Sequence, residues 1–273
     1  MRMARSTKAP HVPEMKIPST RRGVFRPITE AELGVALREL SSGTAPGDDE
    51  VNCEELEQLG RETKKCVVRL FNCSLRAGQV PAKRGHGIIV PLLKPSKPAS
   101  SMASFRPVTL TSTLCKLMER IVVRRVRDCI GDKLQPQRAM FRPARSTLDT
   151  LMLVGRAVWR RKGGEKRAAA LIDCARAFGS ADRGCIVRAL VSFGVERHLV
   201  AWIAGFLKGR AAQVRANNVL SKDVGLTCGV PQGLLLGPLL FIVTVDSLSK
   251  QLNCIPVLQH GFFADDLTIV HEC

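Results

Sequence analysis

Acidic residues are scarce in this chain: 24 Asp and Glu stand against 42 Lys and Arg, a formal charge of +18 with a pI near 10.1. Charge this one-sided is the footprint of a protein that meets a polyanion, nucleic acid first, although an anionic lipid surface satisfies the same arithmetic. No stretch reaches the roughly 18 continuous apolar residues of a membrane span, and the opening segment MRMARSTKAPHVPEMKIPSTRR has no apolar core of a secretory signal. A spanning or secreted protein is therefore not expected. The ten cysteines (53, 66, 73, 115, 129, 174, 185, 228, 254 and 273) are scattered singly, with no CxxC pair and no His at zinc-finger spacing. That argues against a zinc module and points to reduced, buried thiols in an intracellular protein. Internal repeats and long low-complexity segments are absent too, which excludes a solenoid.

What the chain does have is 273 residues, 45% of them hydrophobic, enough to bury one substantial core. Residues 1–26, basic and rich in Pro, read as a disordered arm. Thr29-Glu-Ala-Glu32 then reads as a capping box opening a helix with Leu33, Leu37 and Leu40 on one face. Beyond a Gly, Pro and Asp loop at 41–51, Val67, Leu70, Phe71 and Leu75 recur at helical spacing. HGIIVPLLKPSKP (86–98) predicts a short apolar strand and a loop rich in Lys and Pro. Leu114, Leu117, Met118, Ile121, Val122, Val126 and Ile130 mark the longest amphipathic helix. Its other face is rich in Arg, either a solvated surface or a groove that tracks a phosphate backbone. RRKGGEKRAAALIDCARAF (160–178) predicts a Gly-turned hairpin whose second strand, Ala168 to Asp173, ends on a carboxylate. Helices at 184–194 and 198–208, a hairpin turning at Asn217-Asn218, a mostly buried helix at 238–252 and a last hairpin follow. The expected architecture is a single α+β domain behind the arm.

The last hairpin, FFADDLTIV (262–270), sets Asp265 and Asp266 inside an apolar stretch that should be buried. An ionised carboxylate taken out of water without a partner is penalised by several kcal/mol or more. Basic side chains, backbone N–H groups or a divalent cation could each neutralise the pair, and only the cation calls for further carboxylates. Asp173 is such a carboxylate, also at the end of an apolar strand. If the two strands are neighbours, three acids meet at one sheet edge. Two hard cations about 4 Å apart could be held there to activate an attacking hydroxyl and steady a leaving pyrophosphate.

GIIVPLLKPSK, SFRPVTLTSTLCKLMERIV, FRPARSTLDT, LIDCARAF, GVPQG with LGPLLF, and FFADD follow one another in that order over roughly residues 40–273. The series resembles the reverse transcriptase domain of non-LTR (LINE-type) retrotransposons, most of all the ingi-like elements of trypanosomatids. The resemblance implies a right-hand polymerase with fingers and palm, the antiparallel palm sheet packed on helices. It implies RNA-directed DNA synthesis, with dNTPs added to a DNA primer on an RNA template, using Mg²⁺ or Mn²⁺ in its place. By the same resemblance Asp173, Asp265 and Asp266 are the catalytic metal ligands. Phe178 matches the bulky residue beneath the nucleotide sugar that excludes a 2′-OH, though an ordinary core aromatic would fill the position equally. Gln232 and Gly233 match the loop lying against the incoming nucleotide. Arg106 and Lys94 match fingers positions that face phosphates, and surface cations serving solubility would look the same; Arg142 and Arg145 fit template contacts.

Several positions depart from the family's wording. AFD-x-VDH is here AFGSADR, so Gly179 stands for an acid and Arg183 for a His. GVPQGS is GVPQGL, which puts Leu234 in place of a hydroxyl; the Gly of GFRP is Met140; and FADD replaces YADD, keeping the ring. Only seven residues follow Asp266, so the expected layout is an arm (1–26), a helical extension leading into the fingers (27–85), and fingers and palm (86–273), with no thumb. A second reading is a truncated, inactive nucleic-acid-binding remnant. A third makes the palm intron-encoded or RNA-copying, against which the PLLKP and FRPARST wording argues. Nuclear localisation follows from the family's habit of inserting into chromosomal DNA.

Overall fold

The computed structural model describes residues 24–81, 85–137, 146–159, 167–174 and 177–272, so only residues 24–26 of the expected arm fall among them. Helix α1 (Glu30–Arg38) begins where predicted. Thr29 Oγ1 accepts from the Glu32 N–H at 3.2 Å, and Glu32 Oε2 accepts from the Thr29 N–H at 3.0 Å, satisfying N–H groups that a helix start leaves open. Leu33, Leu37 and Leu40 are buried beneath it. A one-turn helix, α2 (Cys53–Glu57), was not predicted and carries its own capping pair, Asn52 and Glu55. Helix α3 (Arg61–Ala77) stops at Gly78, φ 60°, whose N–H reaches Leu75 O while that of Gln79 reaches Ser74 O, the left-handed ending that glycine adopts without strain. Val67, Phe71 and Leu75 are buried, but Leu70 is 38% exposed. At 3.6 residues per turn it lies about 100° from the centre of the stripe the other three form.

Helix α4 (Thr113–Ile130) buries the expected apolar face. Its Arg face is partly engaged by α1, while Arg127 stays exposed beside a surface cavity that Arg120 and Arg124 also line. Arg125 is buried: it donates to both Glu32 oxygens at 2.8 Å, to Arg26 O at 2.7 Å and to Pro27 O at 2.8 Å. Arg120 and Arg124 pair with Glu39. These arginines clasp α1 to α4, because a planar guanidinium can satisfy several acceptors at once. Burial works to raise the Glu32 pKa, but hydrogen bonds from Arg125 and Thr29 outweigh it and hold the carboxyl down at about 2. Helices α7 (Arg183–Ser192), α8 (Arg197–Leu207) and α9 (Leu236–Leu252) complete the core around Ile186, Leu190, Trp202, Phe206 and Leu240.

Two sheets flank these helices. Strand β1 (His86–Leu93) runs antiparallel to β2 (Phe105–Thr111) and parallel to β4 (Ala211–Ala216), which also pairs with β5 (Val219–Leu220) and β6 (Val224–Gly225). Asn217 and Asn218, with φ of 49° and 60°, make the predicted turn. Strand β2 was not predicted. Its Pro107 disguised it, since proline inside a run argues against a strand, and Pro107 lies opposite Pro91 in the ladder. The second sheet, β3 (Arg167–Asp173), β8 (Asp266–Glu272) and β7 (Leu258–Phe263) in that order, is antiparallel throughout. Helix α5 (Thr147–Trp159), also unpredicted, packs on β7 and β8. The first strand of the expected Gly-turned hairpin lies outside the described residues; among those described, β3 pairs with β8. The α+β architecture, sheets packed on helices, is the expected one.

Candidate active site

Strand β3 ends on Asp173 and strand β8 begins on Asp266, and the antiparallel register sets these two residues directly opposite each other, a Cα separation of about 5 Å. Asp265 occupies the two-residue turn between Phe263 and Asp266, behind Ala264 at φ 56°. All three carboxylates act on one neighbour: desolvation, then the charges of Asp265, Asp173 and Asp266, push the Cys174 thiol up. The acids are less enclosed than the sequence led us to expect. Asp173 and Asp266 are exposed and Asp265 is half-buried, since among the described residues β3 has no partner beyond β8, with Leu171 80% exposed, and the acids sit where the strands end. The pair thus carries no full burial penalty that a partner must relieve. Among the described residues no three His, Cys, Asp or Glu side chains form a ready metal cage. The chemistry of the donor set still fits a hard cation, since Mg²⁺ is held by one or two carboxylates and keeps much of its water.

Just after Asp173 the chain turns, the Ala177 N–H donating to Cys174 O at 3.2 Å, and enters the short helix α6 (Ala177–Ser180). Phe178 is half-buried there, its ring 4.9 Å from that of Phe241 on α9. The segment after it grips the loop at 228–233. Val230 N–H donates to Phe178 O at 2.7 Å, and Gly229 N–H to Ala181 O at 3.1 Å. Arg183, 6% exposed, donates to Gly229 O at 3.0 Å and Cys228 O at 3.2 Å. On the far side Thr109 N–H of β2 donates to Gln232 O at 2.8 Å. Gly233 is needed on two counts: its φ is 106°, and a Cβ there would stand 2.6 Å from Thr109 O. The close approach is to β2, a structural cause that the sequence did not reveal. Gln232 and Gly233 themselves are exposed. The tightest point is Gly229, φ 70°, where a Cβ would meet Gly179 O at 2.2 Å. Gly229→Ala is therefore expected to cost about 2–4 kcal/mol of stability through strain and backbone displacement, measurable by urea unfolding.

Residues 92–272 match the reverse transcriptase (RNA-dependent DNA polymerase) family. The chain belongs to that family. Among curated relatives it is 29% identical over 264 residues to the probable RNA-directed DNA polymerase from transposon BS of Drosophila melanogaster, covering 91% of this chain and 28% of that protein. It is 26% identical over 252 residues to the RNA-directed DNA polymerase from mobile element jockey of Drosophila funebris, covering 89% and 27%. It is 26% identical over 254 residues to the probable RNA-directed DNA polymerase from transposon X-element of Drosophila melanogaster, covering 90% and 27%. The chain thus spans little more than a quarter of the length of these relatives. The resemblance to reverse transcriptase domains of non-LTR retrotransposons holds at this level.

In this reverse transcriptase domain the remaining predicted positions are dispersed. Arg106 is exposed on β2, paired in register with Leu92. Lys94 is half-buried, and its ammonium donates to Ala103 O at 3.0 Å, bracing the β1–β2 connection. Arg142 and Arg145 lie outside the described residues, as does Met140. A Cβ on Gly179 would meet open space among the described residues, and Leu234 is buried in the core rather than facing the loop's exposed side. Arg183 acts as a staple between two loops. Sequence reasoning missed one buried pair near the same loop: Glu119 of α4 and Arg210 before β4. The signal was present, a lone Glu in the apolar stripe LMERIV.

Proposed function

We propose that this domain is an RNA-directed DNA polymerase that adds dNTPs to a DNA primer on an RNA template. One observation carries the reading: in a chain of this family, the register pairs Asp173 with Asp266 and leaves Asp265 in the adjoining turn. These three acids would hold Mg²⁺, or Mn²⁺ in its place. A cation held there would supply Lewis-acid activation of the primer hydroxyl and charge stabilisation for the departing pyrophosphate. The chain's own residues position and select. Phe178, propped by Phe241, blocks the space a 2′-OH would need. Gln232 and Gly233, fixed to β2, lie against the incoming base, and Arg106 and Lys94 meet phosphates in the fingers. Arg142 and Arg145 contact the template, with the net charge of +18 adding a general attraction for nucleic acid.

In this reading residues 27–85 are a helical lead-in to fingers and palm at 86–273, and the domain works on chromosomal DNA in the nucleus, which imaging of a fluorescent fusion tests. Kinship to ingi-like elements is supported by the PLLKP, FRPARST and FADD wording, and a phylogeny of residues 92–272 decides it. The test of selection is the rNTP to dNTP ratio: Phe178→Val raises relative rNTP incorporation by roughly tenfold to a hundredfold in primer extension, whereas an ordinary core aromatic would leave the ratio unchanged. Absence of extension by the unaltered chain, with salt-sensitive RNA binding kept, would instead support the inactive remnant.

A further inference from the structure

Phe178 follows β3 and the 228–233 loop precedes α9, and the fold lays these two segments directly against each other. Their backbones touch: a Cβ on Gly229 would stand 2.2 Å from Gly179 O. Val230 N–H donates to Phe178 O at 2.7 Å, Gly229 N–H to Ala181 O at 3.1 Å, and the Cys228 thiol to Gly179 O at 3.5 Å. Arg183, the first residue of α7, crosses the same seam in the opposite direction. It donates from Nε to Gly229 O at 3.0 Å and from Nη2 to Cys228 O at 3.2 Å. The side chain is 6% exposed, and among the described residues its Nη1 finds no hydrogen-bond partner. A cation buried in this way is a weak source of stability. A planar guanidinium bound through two of its nitrogens does, however, fix the direction of what it holds.

We propose that Arg183 is a positioning residue for nucleotide selection: it holds Cys228 and Gly229 against the Phe178 segment, so that the ring beneath the sugar and the loop beside the base keep one fixed spacing. The inference rests on the reading of Phe178, Gln232 and Gly233 as nucleotide-facing residues. A steric gate works by distance. Phe178, braced by the ring of Phe241 at 4.9 Å, rejects a 2′-OH only while the nucleotide is kept from backing away from it, and the loop bearing Gln232 and Gly233 supplies that limit. One end of this loop is anchored to β2, Thr109 N–H donating to Gln232 O at 2.8 Å. The other end depends on the seam with Phe178, and there Arg183 adds two charge-assisted bonds, each roughly twice as strong as a neutral one. Without them the neutral bonds remain but hold the loop less closely, so discrimination against ribose weakens together with dNTP affinity. Neither bond of Arg183 reaches Asp173, Asp265 or Asp266, so the chemical step on a bound dNTP changes less.

Two variants of the full chain separate placement from bulk: Arg183→Met removes the charge and keeps much of the length, and Arg183→Lys keeps the charge without the fork. Amide hydrogen exchange reads the seam without needing activity. Protection of the Gly229 and Val230 N–H groups is expected to fall about tenfold in Arg183→Met and less in Arg183→Lys. In single-nucleotide primer extension, Arg183→Met is expected to raise the KM for dNTP about tenfold with a smaller change in kcat, and to raise relative rNTP incorporation about tenfold, Arg183→Lys falling between. The rise should not add to that of Phe178→Val, because both substitutions act on one gate: the double variant is expected to match Phe178→Val alone. Unchanged protection at 229–230, a loss in kcat with KM and the rNTP ratio unmoved, or gains that multiply in the double variant would overturn the proposal. Where thermal unfolding shows Arg183→Met to be unfolded, Arg183→Lys carries the same comparisons. Protection that falls as expected in a chain that extends no primer would overturn the polymerase reading, and the selection role with it, while leaving the contact in place.

Discussion

Asp173→Asn is expected to reduce primer extension by about three orders of magnitude or more, because bound metal ions supply several kcal/mol of transition-state stabilisation and this substitution removes a carboxylate from the site that would hold them. The fold should not suffer. Asp173 and Asp266 face each other across an antiparallel ladder, and like charges placed so are destabilising. Removing one of them should leave thermal stability unchanged or raise it slightly. RNA binding should persist, since it draws on the basic surface rather than on the acids. This combination, lost chemistry with kept fold and kept binding, separates a catalytic role from a structural one. An Asp173→Asn chain that still extends primers at the original rate would show that the three-acid assignment is wrong.

Arg125→Ala is expected to destabilise the domain by about 3–5 kcal/mol, the usual cost of breaking a buried charge pair from one side. The guanidinium donates to the carbonyls of Arg26 and Pro27 and grips both oxygens of Glu32, so its loss takes a donor from both carbonyls at the junction of α1 and α4 and leaves Glu32 with Thr29 and the longer contact from Arg26. The sign of the pH effect follows from Glu32. Its folded pKa is lowered from 4.5 to about 2, so the clasp contributes stability fully above about pH 4.5 and loses it as pH falls toward 2. Urea unfolding between pH 2 and 6 should show that slope in the unaltered chain and a much shallower one in Arg125→Ala. Equal slopes would mean that Glu32 draws its low pKa from elsewhere.

The strand-end positions of Asp173 and Asp266, the capping box of α1 and the Asn217-Asn218 turn were legible because each is a local signal of residue type and spacing. Long-range features were not. Nothing local says that β3 pairs with β8, yet that register is what brings Asp173 to Asp266. The Arg stripe of α4 left a solvated surface and a phosphate-tracking groove both open, because a charge run alone does not say what faces it. Only the arrival of Glu32 and Glu39 from α1 turns it into a clasp. Prolines 91 and 107 hid a strand that tertiary pairing stabilises regardless. At Gly233 the contact with Thr109 O was not legible, since that oxygen comes from a strand far away in sequence. The expected deep burial of Asp265 and Asp266 failed for a related reason: apolar flanks describe the strands, while the acids sit at the tip where the strands end.

Primer extension by the unaltered chain on a primed RNA template, with dNTPs and with Mg²⁺ supplied or withheld, tests the central claim most directly when run beside the Asp265→Asn/Asp266→Asn double variant. We predict extension that requires the metal and vanishes in the double variant, with salt-sensitive template binding equal in both. Extension that persists in the double variant, or none from the unaltered chain under any metal, would contradict the account.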